Sequence, residues 1–207
     1  MWAEAMAWAT RLPFTLGFLS VMMAANWAAG TLSGRLPLRM LRDWGISHHG
    51  LVQGEVFRLV TGVFLSHDLP MFLRQIAFAA CVIGYCEWHT GTAQTALLFA
   101  AIDIAGSLIV LFGILPLVAV HFPDSGLDAL RSLDVGMSAG GFGLIGAILV
   151  LLPGPWGWLL AALCAIAVKA WLNFELIADT AHVVCLILGF AVQMTLPSVL
   201  AVVVAQG

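Results

Sequence analysis

Apolar residues run in blocks along this chain, broken by short polar or Pro/Gly-rich stretches. Six blocks predict membrane-spanning helices, at about 12–29, 69–88, 93–119, 137–153, 156–172 and 178–200, because roughly 20 apolar residues cross a bilayer. None alternates apolar and polar positions as a half-buried strand does. Two connections are tight, "HTGT" (89–92) and "PGPWG" (153–157). Residues 1–11 read as an N-terminal tail and 121–135 as a polar loop before the fourth span. Residues 30–68 are too polar to span and too apolar for a solvated linker. Within them "GRLPLRMLRDWG" sets Arg35, Arg39 and Arg42 at helical spacing beside Leu38, Leu41 and Trp44. That pattern predicts a short amphipathic element in the membrane interface, with a basic solvated loop as the alternative. The expected fold is an all-α polytopic membrane protein, residues 1–207 forming one domain of six transmembrane helices with an interfacial first loop.

Composition leads to the same class. The chain is 62% hydrophobic and 9% charged, with mean hydropathy +1.04, against about 25% charged residues in soluble proteins. A net charge of −3 without a basic stripe argues against a nucleic-acid partner and leaves the lipid bilayer and other membrane helices. Cys81, Cys86, Cys164 and Cys185 lie in apolar blocks without tight metal-ligand spacing, so they read as small hydrophobes. Their spacing offers no metal site. The first block follows Glu4 and two tryptophans without a clear cleavage pattern, and it reads as a span and not as a removed leader.

Candidate chemistry centres on "DVGMSAGGFGLIGA", residues 134–147. It matches G-x-S-x-G, but the hydrolase elbow needs a strand–turn–helix that this chain cannot supply. Gly136/Gly140 and Ala139/Gly143/Ala147 instead form small-residue series that let membrane helices approach closely. Even-numbered spans run in one direction, so Ser138 and His182 lie near the same rim at similar depth. Ala178, His182, Cys185 and Gly189 share one face of the sixth span. If the two small faces meet, imidazole can activate the serine, and a helix N-terminus offers free N–H groups to an oxyanion. Simple packing of a glycine-rich helix is the other reading. Arg74 and Asp103 predict a structural ion pair between spans two and three, with a partner contact or Arg74 as a substitute donor as the alternative. Asp179, three residues before His182, is a candidate to orient its ring. His48, His49 and Asp68 read as solvated.

Several motifs occur in a particular order. Glu55, Phe57 and Arg58 close the first loop, and Gly84, Glu87 and Gly91 follow at the end of the second span and just after it. Around Ser138 stand Gly136, then Phe142 at +4, Gly143 at +5, Gly146 at +8 and Ala147 at +9. "AHVVCLILG" supplies Ala181, His182 and Gly189. Over roughly residues 54–192 the chain thereby resembles the rhomboid intramembrane serine proteases. The resemblance implies a Ser138 nucleophile and His182 general base without a third acid, and Phe142 stacked on the imidazole. It also implies Arg58 and Glu87 as scaffold residues, hydrolysis of transmembrane substrates near a helix end, and a multi-pass protein of a bacterial inner membrane.

Departures from the family pattern are equally specific. Ungapped counting from Arg58 to Glu87 sets Met71 and Gln75 where the family carries an oxyanion-supporting His and Asn. Methionine cannot donate a hydrogen bond, whereas glutamine can. Cys185 replaces a usual glycine, which predicts spans four and six pushed slightly apart, and Ala139 replaces another. A rhomboid-like protein that no longer cleaves, binding membrane helices as an adaptor or as a subunit of a larger complex, is therefore the alternative. A transporter or channel has little support, because the spans carry no ionisable series. The family orientation has a cytosolic N-terminus, whereas the arginine distribution favours the opposite.

Overall fold

The computed structural model describes residues 11–206, with side chains over 11–195. All but the last residue of the expected tail, 1–11, lies outside the described residues. In chain order the helices are α1 (Pro13–Ala29), α2 (Leu38–Trp44), α3 (His48–Val52), α4 (Arg58–Thr61), α5 (Leu69–Thr90), α6 (Thr92–His121), α7 (Pro123–Arg131), α8 (Ser138–Val150), α9 (Pro155–Leu172) and α10 (Leu176–Gln206). Among the described residues the only extended pairing is two isolated bridges. Four helices are long and apolar enough to cross a membrane: α5, α6, α9 and the Leu176–Thr195 stretch of α10. They mark an integral membrane protein. α1 and α8 are apolar but shorter, at 17 and 13 residues.

Three expectations need correction. The loop expected at 121–135 contains α7, which starts with Pro123 and Asp124 in its first turn and seats Gly126 on the Ala119 backbone of α6. Proline at the start and an acid at the positive end both favour a helix there. The expected span at 137–153 is the shorter α8, because a turn through Pro153 and the left-handed Gly154 (φ +68) precedes Pro155. The span read as one regular helix at 93–119 contains a π-helical stretch, Ile109–Ile114, just before Pro116. Proline cannot donate the regular backbone bond, and a π turn relieves its clash with the preceding carbonyl. In the first loop the predicted amphipathic element is α2, with Arg39 and Arg42 exposed, but α3 and α4 follow it.

α8 sits at the centre, packed most extensively on α10 and also on α5 and α6. Its glycines are the reason. A Cβ on Gly189 of α10 would overlap the Gly143 carbonyl, and one on Gly146 would overlap the Leu186 carbonyl. Gly140, Gly141 and Gly143 likewise receive Phe99, Phe78 and Ile102. The expected spreading by Cys185 is not seen at the adjoining seam, where Gly189 meets Gly143; its sulfur nests against Gly106 of α6. α9 is peripheral, burying Ile166 alone, and exposes Trp156, Trp158 and Trp171.

Helix ends inside an apolar medium need internal partners. Glu87, 2% exposed, accepts from the N–H groups of Phe14 (2.9 Å) and Thr15 (2.8 Å) and from the Thr15 and Thr92 hydroxyls (2.7 Å each). It therefore caps α1 from another helix, while Gly91 (φ +86) turns the chain from α5 into α6. Asp68, expected to be solvated, caps α5 by accepting from Met71 N–H at 2.7 Å. His48, expected likewise, packs its ring 4.9 Å from that of Phe112.

The glycine contact gives a signed prediction. Gly189→Ala forces α8 and α10 apart and is expected to lower stability by about 1–3 kcal/mol. Gly17→Ala in α1, where a Cβ meets nothing within 4 Å, is expected to be neutral or stabilising by up to about 1 kcal/mol. Thermal unfolding in detergent micelles reads both; equal effects at the two sites would refute the seam as the basis of packing.

Candidate active site

Loop 1 delivers Ser138. Ile46 and Asp134 exchange paired backbone hydrogen bonds (2.8 and 2.9 Å), and Gly136 N–H donates to the Gly62 carbonyl at 2.9 Å. The segment entering α8 is thus tied down just before the serine. Gly136 has φ +135, a region that favours glycine, and a Cβ there would also overlap the Gln75 amide. Arg58 holds the loop in turn. It donates to the Arg42 and Gly45 carbonyls (2.8 Å to the latter) and pairs with Glu55 at 2.8 Å.

At the first residue of α8, Ser138 Oγ lies 2.9 Å from His182 Nε2. Phe142, one turn further on, stacks on the imidazole with centroids 4.1 Å apart and planes at 20°. Ser138 and His182 are both half-buried. With its proton on Nδ1, the ring presents Nε2 as acceptor for the serine hydroxyl. Asp179 does not orient that ring, contrary to the sequence expectation. Its carboxylate accepts from Lys169 Nζ (2.8 Å) and from Glu175 N–H (2.8 Å), binding the α9–α10 connection together. Among the described residues Ser138 and His182 form a pair without a third acid.

Gln75 and Met71 line the same cleft from α5 and reach Gly136. Asn26 of α1, fully buried, donates to the Met22 and Phe64 carbonyls and accepts from Ser66 N–H at 3.0 Å. Ser66 Oγ then donates to Gln75 Oε1 at 2.6 Å. With Oε1 committed, Gln75 Nε2 is left buried beside Gly136 and has no acceptor. Such a group costs about 1–3 kcal/mol to leave unmet. Met71 accepts weakly from His67 N–H at 3.4 Å and sets its methyl against Gly136. The sequence reading missed Asn26 and Ser66. Asn26 was nonetheless signalled, as an amide inside an apolar span.

An open cleft of about 770 Å³ runs over these residues, lined by Ser138, His182, Gln75, Met71, Arg74 and His67 among others. The expected Arg74–Asp103 ion pair is absent. Arg74 is exposed on the cleft side of α5, and Asp103, 4% exposed, accepts from Gly140 N–H at 2.8 Å. A cap on α8 serves the buried carboxylate in place of a distant cation. Among the described residues no group of His, Cys, Asp or Glu is arranged to hold a metal ion.

At the cleft mouth His67 Nε2 lies 3.4 Å from Asp134 Oδ1. The hydrogen bond to Asp134 raises the His67 pKa above its ordinary 6.5, against the opposing effect of burial. The protonated ring is the stabilising form, so its contribution is complete below pH 6.5 and is lost as pH rises through the raised value. Both groups are well exposed, so the effect is small, under about 1 kcal/mol. Wild-type Tm is expected to fall slightly over that window, and His67→Gln is expected to remove that fall. A pH profile unchanged by the substitution would assign the step to another group.

Neither protein-family models nor curated proteins match this chain, so its function is read from this geometry.

Proposed function

We propose that this protein is a rhomboid-type intramembrane serine protease, a six-span bundle in which α1 and α8 join the four longer helices. A multi-pass place in a bacterial inner membrane belongs to the same resemblance. The observation that carries the reading is the 2.9 Å contact between Ser138 Oγ and His182 Nε2 at the mouth of a buried glycine-rich helix. At about 1.5 Å per residue α8 is roughly 20 Å long. It is shorter than a bilayer core of about 30 Å, which supports a serine below the membrane surface.

The chemistry is acyl transfer. Ser138 Oγ attacks the peptide carbonyl carbon while His182 Nε2 takes the hydroxyl proton. The oxyanion meets Ser138 N–H, free at the first turn of α8, with Gln75 Nε2 as the side-chain donor. The C–N bond breaks as His182 passes its proton to the leaving amine. Water entering by the cleft then attacks the ester, His182 takes its proton and returns it to Ser138 Oγ. Phe142 holds the ring in plane throughout. Substrates are transmembrane segments that unwind near a helix end, and no cofactor takes part.

A second reading draws on Met71, whose methyl fills space beside Gly136 where a donor would serve catalysis. On that reading the protein binds membrane helices without cutting them, as an adaptor or a subunit of a larger complex.

Serine-reactive phosphonate is expected to label the wild type, and Ser138→Ala and His182→Ala to abolish both labelling and cleavage of a transmembrane substrate. Gln75→Ala is expected to cost on the order of 10²–10³ in kcat. A wild type that takes no probe and cuts no substrate, while a stoichiometric membrane partner co-purifies with Ser138→Ala, supports the second reading and ends the first.

A further inference from the structure

Asp103 is a carboxylate inside a membrane-crossing helix, 4% exposed and without a cationic partner among the described residues. Such a group is costly in an apolar medium unless its charge is met by donors. Its Oδ1 accepts from Gly140 N–H at 2.8 Å. Gly140 is the third residue of α8, whose own N-terminal neighbour Met137 offers no side-chain cap. The cap therefore comes from α6, across 37 residues of sequence.

The division of donors at this helix end is informative. Gly141 N–H already donates to the Met137 carbonyl at 3.0 Å, and Asp103 takes Gly140. Ser138 N–H is left as a free donor at the site of attack. The bond also fixes rotation. Gly140 is pressed onto Phe99 of α6, and turning α8 about its axis would break the Asp103 contact and swing Ser138 away from His182. The carboxylate borders a cavity of about 50 Å³ that also reaches Ser138 and Ser107, so it lies close to the nucleophile without contacting its hydroxyl.

We propose that Asp103 is a positioning residue, whose buried carboxylate caps α8 from α6 and sets the rotation at which Ser138 meets His182. The catalytic consequence rests on the protease reading above; the geometric one does not. The test compares D103A with D103N, which keeps an acceptor oxygen. With a transmembrane substrate, D103A is expected to lose about 10²-fold in kcat, the scale of a misplacement near 1 Å, with KM unchanged because the residue touches no substrate. D103N is expected to retain most of the rate. In parallel, amide exchange at Gly140 and the ring-nitrogen NMR resonances of His182 report the cap and the dyad without reference to cleavage. Gly140 is expected to lose protection and the His182 signals to move in D103A, and both to stay near wild type in D103N. The proposal is overturned if D103A keeps the wild-type kcat and His182 signals. It is equally overturned if D103N fails as D103A does while Gly140 stays protected. An inactive wild type would end the protease reading alone, because the His182 signals still decide whether Asp103 positions the pair.

Discussion

The contact between α8 and α10 is the constraint on which the rest depends. Gly143 and Gly146 lie against Gly189 and Leu186 so closely that a Cβ on Gly146 or Gly189 would overlap backbone. Between apolar helices in lipid there is little hydrophobic drive to associate, so close packing and hydrogen bonding must supply the attraction. At that spacing Ser138 and His182 fall within hydrogen-bond distance near the N-terminal ends of their helices. The other elements hold this contact in place: α6 by its cap on α8, α5 by Phe78 packed on Gly141, and loop 1 by the backbone pairing of Ile46 with Asp134.

A second theme is how carboxylates survive in an apolar body. Glu87 caps α1 from α5, Asp103 caps α8 from α6, and Asp68 caps the start of its own helix. Glu87 and Asp68 place negative charge, and Asp103 an acceptor oxygen, at the positive end of a helix, where unpaired N–H groups are available. Cations are used less: Lys169 supports Asp179 at the α9–α10 connection, and Arg58 binds carbonyls within loop 1. Charge in this protein chiefly terminates helices and joins them.

Much of this was legible in advance because membrane helices announce themselves by length and hydropathy. The four long helices and the two short apolar ones fall where the apolar blocks lie, within a few residues except at the end of α10. Helix direction put Ser138 and His182 at similar depth; their contact was conditional on two small-residue faces meeting, and the fold brings the pair to 2.9 Å. The readings that failed concerned polar partners. Arg74 and Asp103 matched in depth and charge, yet the carboxylate found a backbone donor. Asp179 had the right spacing from His182 but bonded across the preceding turn and to Lys169. Cys185 had the right position to wedge two helices apart and turned to a third instead.

Sequence by itself determined the class of protein, the extent of its apolar helices and the candidate pair Ser138 and His182. Those properties are local: they depend on composition, on the rise of a helix and on which residues share a face. Tertiary structure alone decided how the pair is supported. Asn26, Ser66 and Gln75 form one hydrogen-bonded relay drawn from α1, loop 1 and α5, and Asp103 reaches α8 from another helix. Hydrogen bonds between distant segments depend on rotation and depth to within about an ångström, and no one-dimensional pattern encodes that.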